Sequence, residues 1–304
     1  MTMRFGTLSF TRAPFEDLVA RWRWLEELGF DSAWVDDDLV AEPGLSDFEA
    51  WTVLGALARE TTRMRIGTLV STIAFRHPAF LAAQAVTVDH LSAGRVSLGL
   101  GSGDCCPEFN PLVGHEDWSS TQRADRFEEQ VLVVDALLRG EPVTHPGPYY
   151  PTSVAAMPPP VQRPRPPLIL AAHGPRGLRL AARYADGWNC FGGQPYEGPT
   201  RTFPDALDET RRLIARLDEA CEEAGRGPDT LDRSVFAYRV EPDPFSSLNW
   251  FDEYVGSYGE LGINAIVFFW PPLPNVRATD VSVAAPLRQS FERIAAQRIG
   301  LRSH

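Results

Sequence analysis

Three short stretches of this sequence gather the residue types that bind anions, move protons or let a backbone approach a flat ligand. Asp36-Asp37-Asp38 sets three carboxylates side by side. They repel one another, so burial of any one would raise its pKa and suit it to handling a proton. Gly101-Ser102-Gly103-Asp104 joins two glycines, which admit a ring or a phosphate close to the backbone, to a hydroxyl and a carboxylate. Ala171-Ala172-His173-Gly174-Pro175-Arg176-Gly177 leads into a helical pattern. N–H groups at such a helix start suit a phosphate, and Arg176 can add a two-pronged contact. Each stretch also has a plainer reading. The acidic triple can be a solvated loop that caps the next element, Asp104 can satisfy loop amides, and residues 171–177 can be a simple capping loop with His173 as a structural hydrogen-bonding residue.

These stretches need elements to hold them. Phe75 to Gly103 contains, in order, a loop, a helix, a short turn, a strand and a glycine-rich loop. Pro78 stands at a first helical turn, where its missing N–H is not needed. Phe80, Leu81, Gln84, Ala85, Val88 and Leu91 recur at helical spacing, so one face can be buried. Ser92-Ala93-Gly94 stops that helix, because glycine accepts the left-handed cap.

The same alternation runs along the chain. Strands are expected over 4–10, 30–35, 64–71, 95–100, 167–172, 187–191, 231–240 and 263–270. Helices are expected over 14–28, 47–60, 79–91, 119–138, 174–185, 205–224, 247–261 and 281–298. Eight of each is what a closed (β/α)8 TIM barrel requires, and residues 1–304 read as a single domain of that fold. Residues 140–166 are too rich in proline for a helix. They read as a proline-rich insertion between strands four and five, lying over the barrel, with a short hairpin around Pro146-Gly147; a domain linker is the alternative. Barrel sites are built at the C-terminal ends of the strands. Those ends are Ser9, the acidic triple, Ser71-Thr72, Gly101 to Asp104, His173-Gly174, Trp188-Asn189, Arg239 and Trp270, so the three stretches share one rim.

Composition removes several classes of function. The net charge of −11 argues against a nucleic-acid or anionic-membrane partner. No apolar run approaches the ~20 residues of a membrane span. The N-terminus enters a strand directly and lacks a signal-peptide pattern, and the four cysteines show no metal-ligand or disulfide framework, so a reducing cytoplasm is expected. The chain has no lysine, which excludes Schiff-base chemistry and leaves arginine and backbone amides as phosphate-binding groups. No metal-ligand spacing, GxSxG elbow or Walker motif is present, so no metal is expected. His90, near the end of a helix with a buried face, reads as a structural histidine.

The stretch from Phe75 to Gly103 resembles the signature of the bacterial luciferase-like superfamily, which includes flavin-dependent monooxygenases and enzymes of the deazaflavin coenzyme F420. Gly29 to Val35 (GFDSAWV), Arg63 to Ser71 (RMRIGTLVS) and Leu178 to Asn189 (LRLAARYADGWN) resemble that family's recurring segments, in the family's order. In the deazaflavin branch an Asp followed by a His ends the second strand. Asp37 matches the Asp, a cofactor contact, and Asp38 stands where the His donates a proton. Asp38 could replace it only with a raised pKa, since an ordinary carboxylic acid is ionised at neutral pH. A Glu often occupies the place of Asp104, which makes Asp104 the second catalytic candidate. The resemblance places a non-proline cis peptide behind the ring at Leu69-Val70, matches Thr72 to a cofactor-contacting threonine, and sets Ser102 and Gly103 at the ring. It puts the cofactor phosphate at His173, Gly174, Arg176 and Gly177, where that branch often has Gly-Gly.

The function this implies is a cytoplasmic oxidoreductase that transfers hydride between coenzyme F420 and a small organic substrate. One alternative is an FMN-dependent monooxygenase using reduced flavin and O2. Another is a barrel that binds a cofactor without catalysis. The resemblance implies a homodimer. Residues 104–118, 140–166 and 192–204 would shape the substrate pocket, and Trp188, Trp250, Trp270, Phe191 and Phe269 are candidates for an apolar wall above the barrel, with Trp188, inside the family segment, read as packing rather than substrate binding.

Overall fold

Eight short apolar runs pair side by side and close on themselves. In the computed structural model, which describes residues 2–37, 41–42, 45–103, 117–192, 200–270 and 285–300, these strands are β1 (Arg4–Ser9), β2 (Ser32–Val35), β3 (Arg65–Thr72), β4 (Val96–Gly101), β5 (Leu168–Ala171), β6 (Gly187–Cys190), β7 (Asp232–Ala237) and β8 (Ala265–Phe269). They pair in parallel in sequence order, and β8 closes on β1 with Arg4 opposite Ala265 and Leu8 opposite Phe269. The helices between them are α1 (Phe15–Glu27), α2 (Ala50–Glu60), α3 (Pro78–Leu91), α4 (Ser120–Leu138), α5 (Pro175–Tyr184), α6 (Phe203–Glu223), α7 (Leu248–Glu260) and α8 (Ala285–Arg298). The chain is therefore a TIM barrel, as its pattern of elements predicts. Strands covered on both faces need apolar residues at successive positions, and all six residues of β4 are buried.

Two cores result. The larger lies between strands and helices and includes Phe5, Trp22, Leu54, Leu98, Trp188 and Phe291. The smaller fills the barrel and comprises Leu8, Trp34, Leu69, Phe236, Tyr238 and Val267. Trp34 takes its place there because its neighbours have no side chains. A Cβ at Gly6 would lie 3.0 Å from Trp34 Nε1, and one at Gly67 2.8 Å from Trp34 Cζ3. The indole N–H donates to Ser32 Oγ at 2.9 Å, so its polar atom is satisfied inside an apolar core.

The insertion carries the expected hairpin. Val143–His145 pairs antiparallel with Thr152–Val154 around Pro146-Gly147. Buried Glu129 of α4 anchors it, accepting from Tyr150 N at 2.6 Å and Tyr149 N at 3.2 Å. Asp89 of α3 pins the proline-rich return by accepting from Val161 N at 2.7 Å, Gln162 N at 3.1 Å and Gln162 Nε2 at 2.8 Å. His90 Nε2 lies 2.9 Å from the Pro159 carbonyl, so this histidine also holds the insertion. These hydrogen bonds tie the segment to α3 and α4.

One strand ends early. The apolar pattern extends β7 to Val240, yet the strand stops at Ala237 because Arg239 adopts a left-handed backbone (φ 49°). The Arg239 carbonyl then accepts from Arg201 N at 2.9 Å, and Val240–Glu241 pairs with Arg201–Thr202 above the barrel. Among the described residues no helix is long and apolar enough to cross a membrane.

Candidate active site

The C-terminal strand ends open into a cavity of about 550 Å³, within the roughly 300–1,000 Å³ of small-molecule and cofactor sites. Asp37, Leu69, Val70, Thr72, Ser102, Gly103, His173, Gly174, Arg176 and Gly177 all line it. Residues far apart in the chain thus share one pocket, because they lie at the C-terminal ends of four neighbouring strands, β2 to β5, of the same barrel. Asp38 and Asp104, the two proton-handling candidates, lie outside the described residues. So do Cys105 and Cys106.

Asp37 is not held by repulsion from its acidic neighbours. Arg76 donates through Nη2 to Asp37 Oδ1 at 3.0 Å and through Nη1 to Asp37 Oδ2. The same Nη2 reaches Glu49 Oε1 at 2.8 Å. Glu49 in turn caps α2, accepting from Thr52 N at 2.7 Å. Burial pushes the Arg76 guanidinium down, but the two facing carboxylates more than offset that and raise it. The acidic triple pointed to a cluster of like charges; the structure adds the cation that offsets it. Arg76 was legible only as the sole arginine between Arg65 and Arg95 in the loop after a barrel strand.

The pocket floor is set by a bulge in β3. Pairing of β3 with β4 shifts register between Thr68 and Ser71, and the Leu69-Val70 peptide is cis. The expected position of that peptide is therefore the observed one. Glycines on β4 give the bulge its room. A Cβ at Gly101 would lie 2.5 Å from Val70 Cγ2, and one at Gly103 would collide with Thr72 Oγ1. Gly103 also has φ 67°, which an L side chain rarely adopts. The closest approach these glycines permit is thus to β3 itself, which presents Leu69, Val70 and Thr72 as a flat edge of the cavity.

A helix start faces that edge. Gly174 caps α5 with an extended backbone (φ −80°, ψ 158°), and no side chain caps the helix. A Cβ at Gly174 would meet nothing within 4 Å, so this end opens onto the cavity. α4 differs: Ser119 and Gln122 cap it reciprocally, with Ser119 N donating to Gln122 Oε1 at 2.9 Å. Arg176 is engaged elsewhere than the expected phosphate contact. Its Nη1 lies 2.6 Å from Asp125 Oδ1 and its Nη2 2.8 Å from Glu128 Oε2, because α4 brings both carboxylates alongside α5. Glu128 and then Asp125 raise its pKa. His173 combines both of its expected roles: it lines the cavity, and its Nε2 accepts from Phe191 N at 3.4 Å.

The proposed aromatic wall is corrected in part. Trp188 donates to the Ala172 carbonyl at 2.8 Å and packs in the outer core. Trp270 stacks on Phe291 at 3.8 Å, and Trp250 packs against Phe203 at 5.1 Å. Successive strand residues face opposite sides, so Trp188 points at helices while Asn189 lines the cavity. Phe191 does line the cavity and Phe269 joins the barrel-interior cluster; Phe236, not singled out by sequence, lines the cavity beside them.

The donor set fits a flavin-type cofactor: a flat edge for a ring and an uncapped helix start for a phosphate open on the same cavity.

Residues 3–240 match the family model described as luciferase-like monooxygenase. The chain is 34% identical over 214 residues to an F420-dependent glucose-6-phosphate dehydrogenase of Microbacterium testaceum, covering 68% of this chain and 59% of that protein. It is 30% identical over 247 residues to the F420-dependent hydroxymycolic acid dehydrogenase of Mycobacterium tuberculosis, covering 78% and 62%. The chain thus spans about three fifths of the length of these curated relatives, 59% and 62%. Among solved structures, an F420-dependent secondary alcohol dehydrogenase in complex with an F420–acetone adduct superposes with a TM-score of 0.74 at 20% identity, over 97% of this chain and 99% of that one, a likeness of fold.

Proposed function

The chain belongs to the luciferase-like monooxygenase family, and from that premise we propose that it is an oxidoreductase using coenzyme F420 to exchange a hydride with a small organic substrate. The observation that carries this reading is the shared cavity, where the Leu69-Val70 edge, Asp37, Thr72 and the uncapped start of α5 face one another. When bound, F420 supplies two-electron hydride chemistry at its deazaflavin ring.

The chain's own residues would bind, orient and manage protons. Leu69, Val70, Ser102 and Gly103 would back the ring, and Thr72 and Asp37 would contact its polar edge. Arg76 would fix the Asp37 carboxylate through both of its oxygens, which makes Asp37 an anchor. The backbone N–H groups of Gly174, Arg176 and Gly177 would hold the phosphate, Pro175 having none, with the Arg176 side chain set behind them by its acidic partners. Proton exchange with the substrate oxygen falls to a carboxyl oxygen of Asp38 or Asp104. Leu8 and Phe236 would exclude water from the reacting face.

The same reading makes the chain one cytoplasmic unit acting on small molecules, with no nucleic-acid or membrane partner, and a homodimer. Exposed apolar side chains support the last point: Phe48 is 50% exposed and Phe80 70%, near the starts of the adjacent helices α2 and α3.

Anaerobic incubation with oxidised F420 and a panel of alcohols and aldehydes tests the reaction class. Loss of the oxidised-F420 absorbance without O2 is the expected result. Substrate oxidation only with reduced FMN and O2 would replace hydride transfer by monooxygenation.

A further inference from the structure

The barrel mouth is divided into two halves. The polar groups discussed above follow β2, β3, β4 and β5, which are consecutive around the ring. The other four strands, β6, β7, β8 and β1, present rings at the same level, with Asn189 of β6 the polar side chain beside them. Phe236 stacks on Tyr238 with centroids 5.2 Å apart and planes 12° apart. Phe269 lies 6.3 Å from Phe236 and 6.2 Å from Tyr238, and Phe10 meets Phe269 edge-on at 5.0 Å. Phe191 and Leu8 complete the half from β6 and β1, and with Phe236 they reach the cavity. Phe10, Phe191 and Phe269 are only half-buried, so ring surface remains for a ligand.

Among the described residues, Arg12 and Arg239 of this half lie over rings. Arg12 lies 4.2 Å over the Phe10 ring and pairs with Asp47 at 2.7 Å, a carboxylate whose side chain is 2% exposed. Arg239 lies 5.5 Å over Tyr238. A phosphate monoester would need two-pronged arginine contacts in the same space and would have to be desolvated against the rings of Phe191 and Phe236.

We propose that this half of the cavity receives the body of an apolar, preferably aromatic, alcohol or carbonyl compound, and not a phosphorylated sugar. The inference rests on the F420 reading only for its polar half; the wall itself is a property of β6, β7, β8 and β1. Aromatic faces stack on a ring or pack a branched alkyl group, and offer a sugar phosphate no partners for its hydroxyls and charge.

Binding, read apart from turnover, tests it. F420 is first titrated into the protein. The F420-saturated protein is then titrated by calorimetry with acetophenone and, separately, with glucose 6-phosphate. Acetophenone is expected to bind at least about tenfold more tightly, the scale on which apolar pockets discriminate. Phe191→Ala, at the cavity, should weaken acetophenone about tenfold and change F420 affinity far less. Phe191→Leu keeps most of the apolar volume if truncation there harms folding, and should weaken acetophenone by less. Glucose 6-phosphate binding the tighter, or acetophenone binding that neither substitution changes, would overturn the wall. If F420 does not bind, the cofactor reading fails alone, and the same titrations on the cofactor-free protein still decide the wall.

Discussion

Arg76 closes on both carboxylate oxygens of Asp37, in a pair whose side chains are 11% and 1% exposed. It joins a residue after β2 to one after β3, so the two strand ends that form the flat edge of the cavity are fixed relative to each other. Removing one member leaves the other buried and charged. Arg76→Gln should therefore cost about 3 kcal/mol in urea unfolding, whereas pairing it with Asp37→Asn should cost clearly less than the sum of the singles. Additive losses would show that the pair does not act as a unit.

The two ends of the proposed cofactor site make opposite predictions for adding a methyl group. At Gly103 the new Cβ collides with Thr72 and the backbone has φ 67°, so Gly103→Ala should lower stability by about 1–3 kcal/mol. At Gly174 a Cβ meets nothing and the backbone is extended, so Gly174→Ala should fold with a cost of about 1 kcal/mol or less. It should nevertheless weaken F420 binding by about tenfold, because the methyl enters the space where backbone N–H groups would meet the phosphate. Thermal melts and cofactor titrations of the two variants separate these effects.

How much of this was legible beforehand depends on the range of the interaction. The barrel was, because each strand is a short apolar run and each helix a periodic one, and the rim residues follow from strand ends alone. Arg76 facing Asp37 was not, since the partners are separated by 39 residues and the acidic triple suggested only repulsion. The engagement of Arg176 by Asp125 and Glu128 required knowing that α4 packs beside α5. Trp270 was misassigned for a local reason, lying one residue out of phase with the cavity face, whereas Trp188 packs in the outer core as its family segment implied. The early end of β7 at a left-handed Arg239 has no signature in residue type. The cis peptide at Leu69-Val70 was reached through family resemblance, as nothing in those two side chains distinguishes it.

Tyr150 should make stability fall at high pH. Burial pushes its phenol up to about 12, and its hydroxyl donates to the Ile73 carbonyl at 3.2 Å. The folded protein keeps this proton where the unfolded chain, with an ordinary value of 10.0, has lost it. Its stabilisation is thus complete below pH 10 and is lost as pH rises towards 12. Urea unfolding at about pH 9 and about pH 11.5 should show a steeper decline for the native protein than for Tyr150→Phe. Parallel declines would place the alkaline sensitivity elsewhere.

Cys190 should be inert in the native state. It is fully buried, and burial pushes its thiol up to about 12. Thiolate is the reactive form, so alkylation near pH 8 with site-resolved mass spectrometry should leave Cys190 unmodified until denaturant is added. Modification in the folded protein would show that the end of β6 opens.

The central claim is that the shared cavity holds a deazaflavin, and a parallel titration of the protein with F420 and FMN, followed by tryptophan fluorescence, tests it most directly. Saturable F420 binding, tighter than FMN and weakened by Gly174→Ala without loss of folding, is the result this account predicts. Saturable binding of FMN alone, or of neither cofactor, would contradict it.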